Sequence, residues 1–193
     1  MRTTGRRAGS RQKSTAGFTL IEVMVSIVVL TVGLVSLLGV FGVALATTQS
    51  SQEDLIAKQL ASEAMESIIT ARGTTQLTWD QIQNVSAGGN GIFVTGFQPI
   101  LLPGPTYGVV GTADTGAAQQ LTLPGADGIV GTADDVKLPL TNFTRQIQIA
   151  SVNDANGNAD PALRTVTITI SYTTPRLKTA KTYVLNSYIS EYR

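Results

Sequence analysis

One carboxylate, Glu22, stands at the head of a long uncharged run, and no Asp, Glu, Lys or Arg follows it until Glu53. An ionisable group inside hydrocarbon costs at least about 2.5–3.5 kcal/mol on insertion scales and marks a functional site by default. Two readings of it stay open. The side chain can lie near the headgroups and reach out to them. Alternatively, a cation holds it within the apolar layer, because a buried carboxylate is stable only when paired. Gly17 and Phe18 lie just ahead of it, at the exit of a basic tract. Other chemistry is scarce. The chain has no Cys and no His, which excludes disulfides, thiol nucleophiles, His-based triads and the commonest transition-metal ligands. Acid pairs remain, but none sits in a catalytic motif, so an enzyme is not expected.

Two acidic stretches are candidates for a hard cation, with Ca2+ the one cofactor considered. Asp127, Asp134 and Asp135 surround Gly128 and Gly131, and calcium takes several oxygen ligands from a tight loop. Asp154, Asn156, Asn158 and Asp160 alternate as in the front of an EF-hand loop. There Gly157 occupies the fourth place rather than the sixth and the closing Glu is missing, which favours an ordinary hairpin loop. Asp and Gly are also the usual residues of solvated turns. Near the C-terminus Arg176, Lys178, Lys181, Tyr183 and Arg193 form a basic strip with one aromatic. Such a strip can bind single-stranded nucleic acid. It is also how an edge strand is guarded, and nucleic acid is not expected as a partner.

Placing Glu22 is the task of residues 17–46. Five cations (Arg2, Arg6, Arg7, Arg11, Lys13) and no acid precede this stretch. Val23 to Ala46 exceeds the roughly 20 apolar residues needed to cross a hydrocarbon core about 30 Å thick. The basic flank predicts a cytoplasmic N-terminus. A conventional signal peptide would have a shorter apolar core with its cut after that core. Without residues 1–17 the formal charge falls from +1 by five to −4, so bulk charge does not suggest a nucleic-acid binder. Gly33, Gly39 and Gly42 are either ordinary membrane-helix composition or points of close helix approach.

The 193 residues suit one domain plus an appendage. After a polar stretch, residues 53–72 carry Ile56, Leu60, Ala64 and Ile68 four apart, widened by Leu55, Met65 and Ile69. Acids and Lys58 occupy the other side, which predicts an amphipathic helix. Arg72 and Gly73 suit its end. No Pro falls between Phe18 and Arg72, so one continuous helix on the order of 80 Å long is expected. Residues 74–140 are rich in Gly and Pro and contain a repeat: Val109-Val110-Gly111-Thr112-Ala113-Asp114 echoes Ile129-Val130-Gly131-Thr132-Ala133-Asp134. Residues 141–193 predict three period-two strands, at 142–152, 163–173 and 178–190, in an antiparallel meander. The fold class expected is α+β, with one face of the sheet against the amphipathic helix.

The run Gly17-Phe18-Thr19-Leu20-Ile21-Glu22 resembles the processing site of type IV prepilins and type II secretion pseudopilins. That family has a short basic leader ending in Gly, then Phe, then an apolar helix with Glu at its fifth mature position. The likeness is close over the first quarter of the chain, looser to Arg72, and one of pattern beyond. It implies a pilin-like lollipop: leader 1–17, transmembrane or filament-core helix 18–46, its amphipathic continuation 47–73, variable region 74–140 and β-meander 141–193. It further implies that prepilin peptidase cuts between Gly17 and Phe18 and methylates the new Phe18 amine, and that Glu22 pairs with the Phe18 ammonium of a neighbouring subunit. The partners implied are other pilins or pseudopilins and an inner-membrane assembly platform. The place implied is the bacterial inner membrane, with the C-terminal domain periplasmic, and then a filament. Minor pilins of the PilV type are the nearest in flavour, and minor pseudopilins of type II secretion come second. A filament-borne adhesin or DNA-uptake module is the reading from another class.

Overall fold

A computed structural model describes residues 17–174 and 180–192. The chain divides into two compact units, residues 1–45 and 46–193. Helix α1 spans Leu20–Gly73 and contributes to both. In the first unit its apolar side chains, from Leu20 to Leu45, are exposed all round. A helix apolar on every side needs lipid or neighbouring helices around it, and this one is long and apolar enough to cross a membrane.

In the second unit, α1 packs on a four-stranded antiparallel sheet of order β1-β4-β5-β6. The strands are β1 (Gln98–Pro99), β4 (Phe143–Asn153), β5 (Ala159–Thr173) and β6 (Ala180–Ser190). A separate hairpin pairs β2 (Gln120–Leu123) with β3 (Val136–Pro139). The three long strands follow the expected alternation. Phe143, Arg145 and Ile147 of β4 face inward, as do Val166, Ile168, Ile170 and Tyr172 of β5. Their polar neighbours, Thr144, Gln146 and Gln148 of β4 and Thr167, Thr169 and Ser171 of β5, face the other way, which suits a sheet with one wet side. Strand β5 is paired along both edges, with Ile168 opposite Ile147 and Leu185.

The buried stripe of α1 keeps the expected Leu60, Ala64, Met65 and Ile68 but shifts at its edges. Ala57, Leu60, Ala61, Ala64, Met65, Ile68 and Ala71 are buried, whereas Leu55 and Ile69 are exposed. The seam is centred on alanines because small side chains let helix and sheet approach closely, while larger ones fill its edges. Region 74–140 is mostly loop, but not loosely packed loop. Leu77, Ile82, Phe93, Ile100, Val109 and Val110 all enter the core. Trp79 starts a 3-10 turn (Trp79–Gln81) and carries the Arg164 guanidinium 4.1 Å above its ring. Its indole N–H donates to the Pro161 carbonyl at 2.7 Å, which fixes this region against β5.

Candidate functional site: the start of the apolar helix

Gly17, Phe18 and Thr19 are non-helical, and α1 begins at Leu20, two residues later than the apolar run suggests. The reason is Thr19. Its carbonyl accepts the Glu22 and Val23 amides at 3.1 and 3.3 Å, and its hydroxyl lies 3.4 Å from the same Glu22 amide. Thr19 is thus the N-cap, satisfying donors that a helix start otherwise leaves orphaned. The Thr-x-x-Glu spacing is a sequence signature of a helix start. Glu22 falls in the first turn, where the positive end of the helix dipole favours a carboxylate. Gly17, Phe18 and Glu22 are all exposed, so each is accessible to an enzyme or to another chain.

Further along the apolar segment the hydroxyls serve their own backbone. Ser26 donates to the Glu22 carbonyl at 2.7 Å, Thr31 to Val28 at 2.8 Å and Ser36 to Val32 at 2.8 Å. Hydroxyls satisfied in this way cost little in a water-poor layer. Glu22 is therefore the one ionisable side chain between Thr19 and Gln52.

The acidic loops are organised by their own amides. Asp127 accepts from the Ile129 amide at 2.8 Å, and Asp135 from the Gly131 amide at 2.6 Å. Asp134 accepts from the Thr132 hydroxyl at 2.7 Å and the Asp127 amide at 3.3 Å. Those two bonds, the Thr132 hydroxyl first, hold its carboxyl below the usual range. Asp154 accepts from the Asn156 and Asn158 amides at 2.8 and 2.9 Å and closes the β4–β5 turn, where Gly157 takes a positive φ of 85°. Asp160 accepts from the Ala162 amide. Among the described residues, no group of three or more His, Cys, Asp or Glu side chains is placed to hold a metal.

Of the basic strip, Lys181 turns onto α1. Its ammonium lies 2.6 Å from the Ser50 hydroxyl and 3.5 Å from the Asp54 carboxylate. Tyr183 packs against the core, and β6 is an edge strand of the sheet. Arg176, Lys178 and Arg193 lie outside the described residues.

Arg145, on the inward face of β4, needs a partner for its buried charge. Asp114 is that partner, at 3.3 Å, with both side chains almost fully buried. Burial pushes the Asp114 carboxyl up, and the Gly111 amide and Arg145 only partly offset it. Burial likewise lowers Arg145. The pair anchors the loop after Val110 to the sheet.

The family model for the prokaryotic N-terminal methylation motif matches residues 12–38 of this chain. No curated protein and no solved structure matches it.

Proposed function

We propose that this chain is a processed subunit of a filament of the type IV pilin and pseudopilin kind, acting structurally rather than as an enzyme. One observation carries the reading: a matched methylation motif coincides with Gly17, Phe18 and Glu22 at the capped start of a 54-residue helix whose first half is apolar. The chain enters the inner membrane with its basic end cytoplasmic. Prepilin peptidase removes residues 1–17 and methylates the Phe18 amine. Glu22 then meets the Phe18 ammonium of an adjacent subunit. A carboxylate with an exposed side chain in a water-poor layer needs such a cation, and the pair specifies axial stagger more than it adds stability.

Within that class we read the chain as a minor subunit, in flavour a minor pilin of the PilV type. The loop-rich region 74–140, packed into the core at six or more points, supports this. A hook-like role in adhesion or uptake is not favoured, because Lys181 is turned inward onto Asp54.

The decisive experiment is mass spectrometry of the N-terminus of protein extracted from membranes. An N-terminal methyl-Phe18 is expected. A chain that keeps residues 1–17 overturns the proposal.

A further inference from the structure

The two copies of the internal repeat fold alike but differ in what they touch. In each, a Thr hydroxyl donates to the carbonyl three residues back: Thr112 to Val109 at 2.8 Å and Thr132 to Ile129 at 3.1 Å. In each, a glycine amide also donates to a nearby aspartate, though in different register: Gly111 to Asp114 three residues on at 2.9 Å, and Gly131 to Asp135 four residues on at 2.6 Å. Both glycines have positive φ, 83° and 102°. The motif therefore makes a similar turn twice, with the glycine amide capped one residue later in the second copy.

The first copy is docked. Val109 and Val110 are 1% and 3% exposed. A Cβ on Gly111 would lie 2.3 Å from Ile147 Cδ1 and 3.8 Å from Phe93 Cδ1. Asp114 meets Arg145. The receptor for this loop is thus an apolar shelf with an arginine beside it.

The second copy has no such receptor. Ile129 and Val130 are 61% and 58% exposed, and nothing lies within 4 Å of a Cβ on Gly131. Asp134 and Asp135 have no ion-pair partner among the described residues. The loop is carried on the β2–β3 hairpin, where paired Leu123 and Val136 are also exposed. Leu121 at the base of the hairpin packs against the core, while its far end is left without support.

We infer that the loop around Ile129 and Val130 is a docking element for a different subunit of the same filament, one presenting an apolar shelf flanked by an arginine. This rests on the filament-subunit reading above. The docked first copy defines the complementary surface. It also excludes a second copy of this chain as the occupant, since the Arg145 shelf of every copy is already filled by its own Val109-Val110 loop.

The test uses the full-length chain in its own host, with a photo-crosslinking benzoylphenylalanine at position 129 and, as control, at position 156 in the β4–β5 turn. The expected result is a light-dependent adduct from 129 alone. Mass spectrometry should identify its partner as another methyl-Phe subunit, with an arginine in the cross-linked peptide. The double variant Ile129→Asp, Val130→Asp should keep its melting temperature and its leader removal yet be recovered in polymer at least tenfold less. An adduct to lipid or to a second copy overturns the inference. Undiminished polymer recovery of the double variant, with leader removal complete, overturns this inference alone. A wild-type chain that retains its leader overturns the filament reading, and this one falls with it.

Discussion

Tyr172 on β5 donates its phenol hydrogen bond to the Asp54 carboxylate on α1, joining positions 118 residues apart. Lys181 on β6 approaches the same carboxylate. One helical residue thereby gathers two strands. The Tyr172 bond is the main reason the Asp54 carboxyl sits below its usual range, with burial opposing and Lys181 assisting. Burial, followed by Asp54, pushes the Tyr172 phenol up.

This fixes a pH dependence. The folded-state value of Asp54 lies below its unfolded value, so its contribution is present above the unfolded value. It is lost as pH falls through the folded one. Asp54→Asn is expected to flatten the acid limb of the melting-temperature curve below about pH 4. Calorimetry across that range checks it, and an acid limb identical to wild type would refute the role.

Removing one member of the Arg145–Asp114 pair should be worse than removing both. Arg145→Ala leaves a buried carboxylate unpaired and is expected to cost about 3–5 kcal/mol. Arg145→Met with Asp114→Leu should recover most of that loss. Urea denaturation of the three proteins decides it.

Gly17 replaced by a bulky residue, Gly17→Leu for example, should block leader removal, because the side chain must enter the peptidase cleft beside the scissile bond. Accumulation of the longer chain on a gel is the expected readout. Normal cleavage would count against the site.

Glu22→Val should insert into membranes as well as wild type, since it deletes an insertion cost of about 2.5 kcal/mol or more. Polymer recovery should nonetheless fall. Glu22→Asp, keeping the charge on a shorter arm, should be intermediate. Assembly of Glu22→Val at wild-type level would show that the carboxylate is dispensable.

Calcium in the Asp127–Asp135 loop would compete with the Thr132 hydroxyl for Asp134. If calcium binds, a tenfold excess over Kd stabilises the fold by about 1.4 kcal/mol, visible as a higher melting temperature that a chelator reverses. An unmoved transition leaves these carboxylates as turn caps.

The sheet was legible because large residues fall at every second position, Phe143, Arg145 and Ile147 of β4, Val166, Ile168, Ile170 and Tyr172 of β5, and Tyr183, Leu185 and Ile189 on one face of β6, the pattern of half-buried strands. The helix was legible in extent and in most of its buried stripe, Leu60, Ala64, Met65 and Ile68, but not at its edges. Bulky Leu55 and Ile69 looked inward on a helical wheel, while alanines set the seam because the distance to the sheet is a tertiary quantity. Strands β2 and β3, only four residues each, carry no periodic signal long enough to read. Arg145 was readable as inward-facing, but its partner lies 31 residues earlier in a loop, beyond any local rule. At the candidate site, Gly17, Phe18 and Glu22 stood out by type and spacing. Thr19 did not, though its place three residues before Glu22 was the available signal.

The helical ladder begins with amides bonded to Thr19, so the bond between Gly17 and Phe18 lies upstream of its first rung. Scission there would sever no rung of α1. A protease acting at that bond would meet substrate already outside the coil, with no unwinding to drive inside the bilayer. The freshly made terminus would then sit on a two-residue tether, short enough to stay near Glu22 of an adjoining rod and loose enough to swivel toward it.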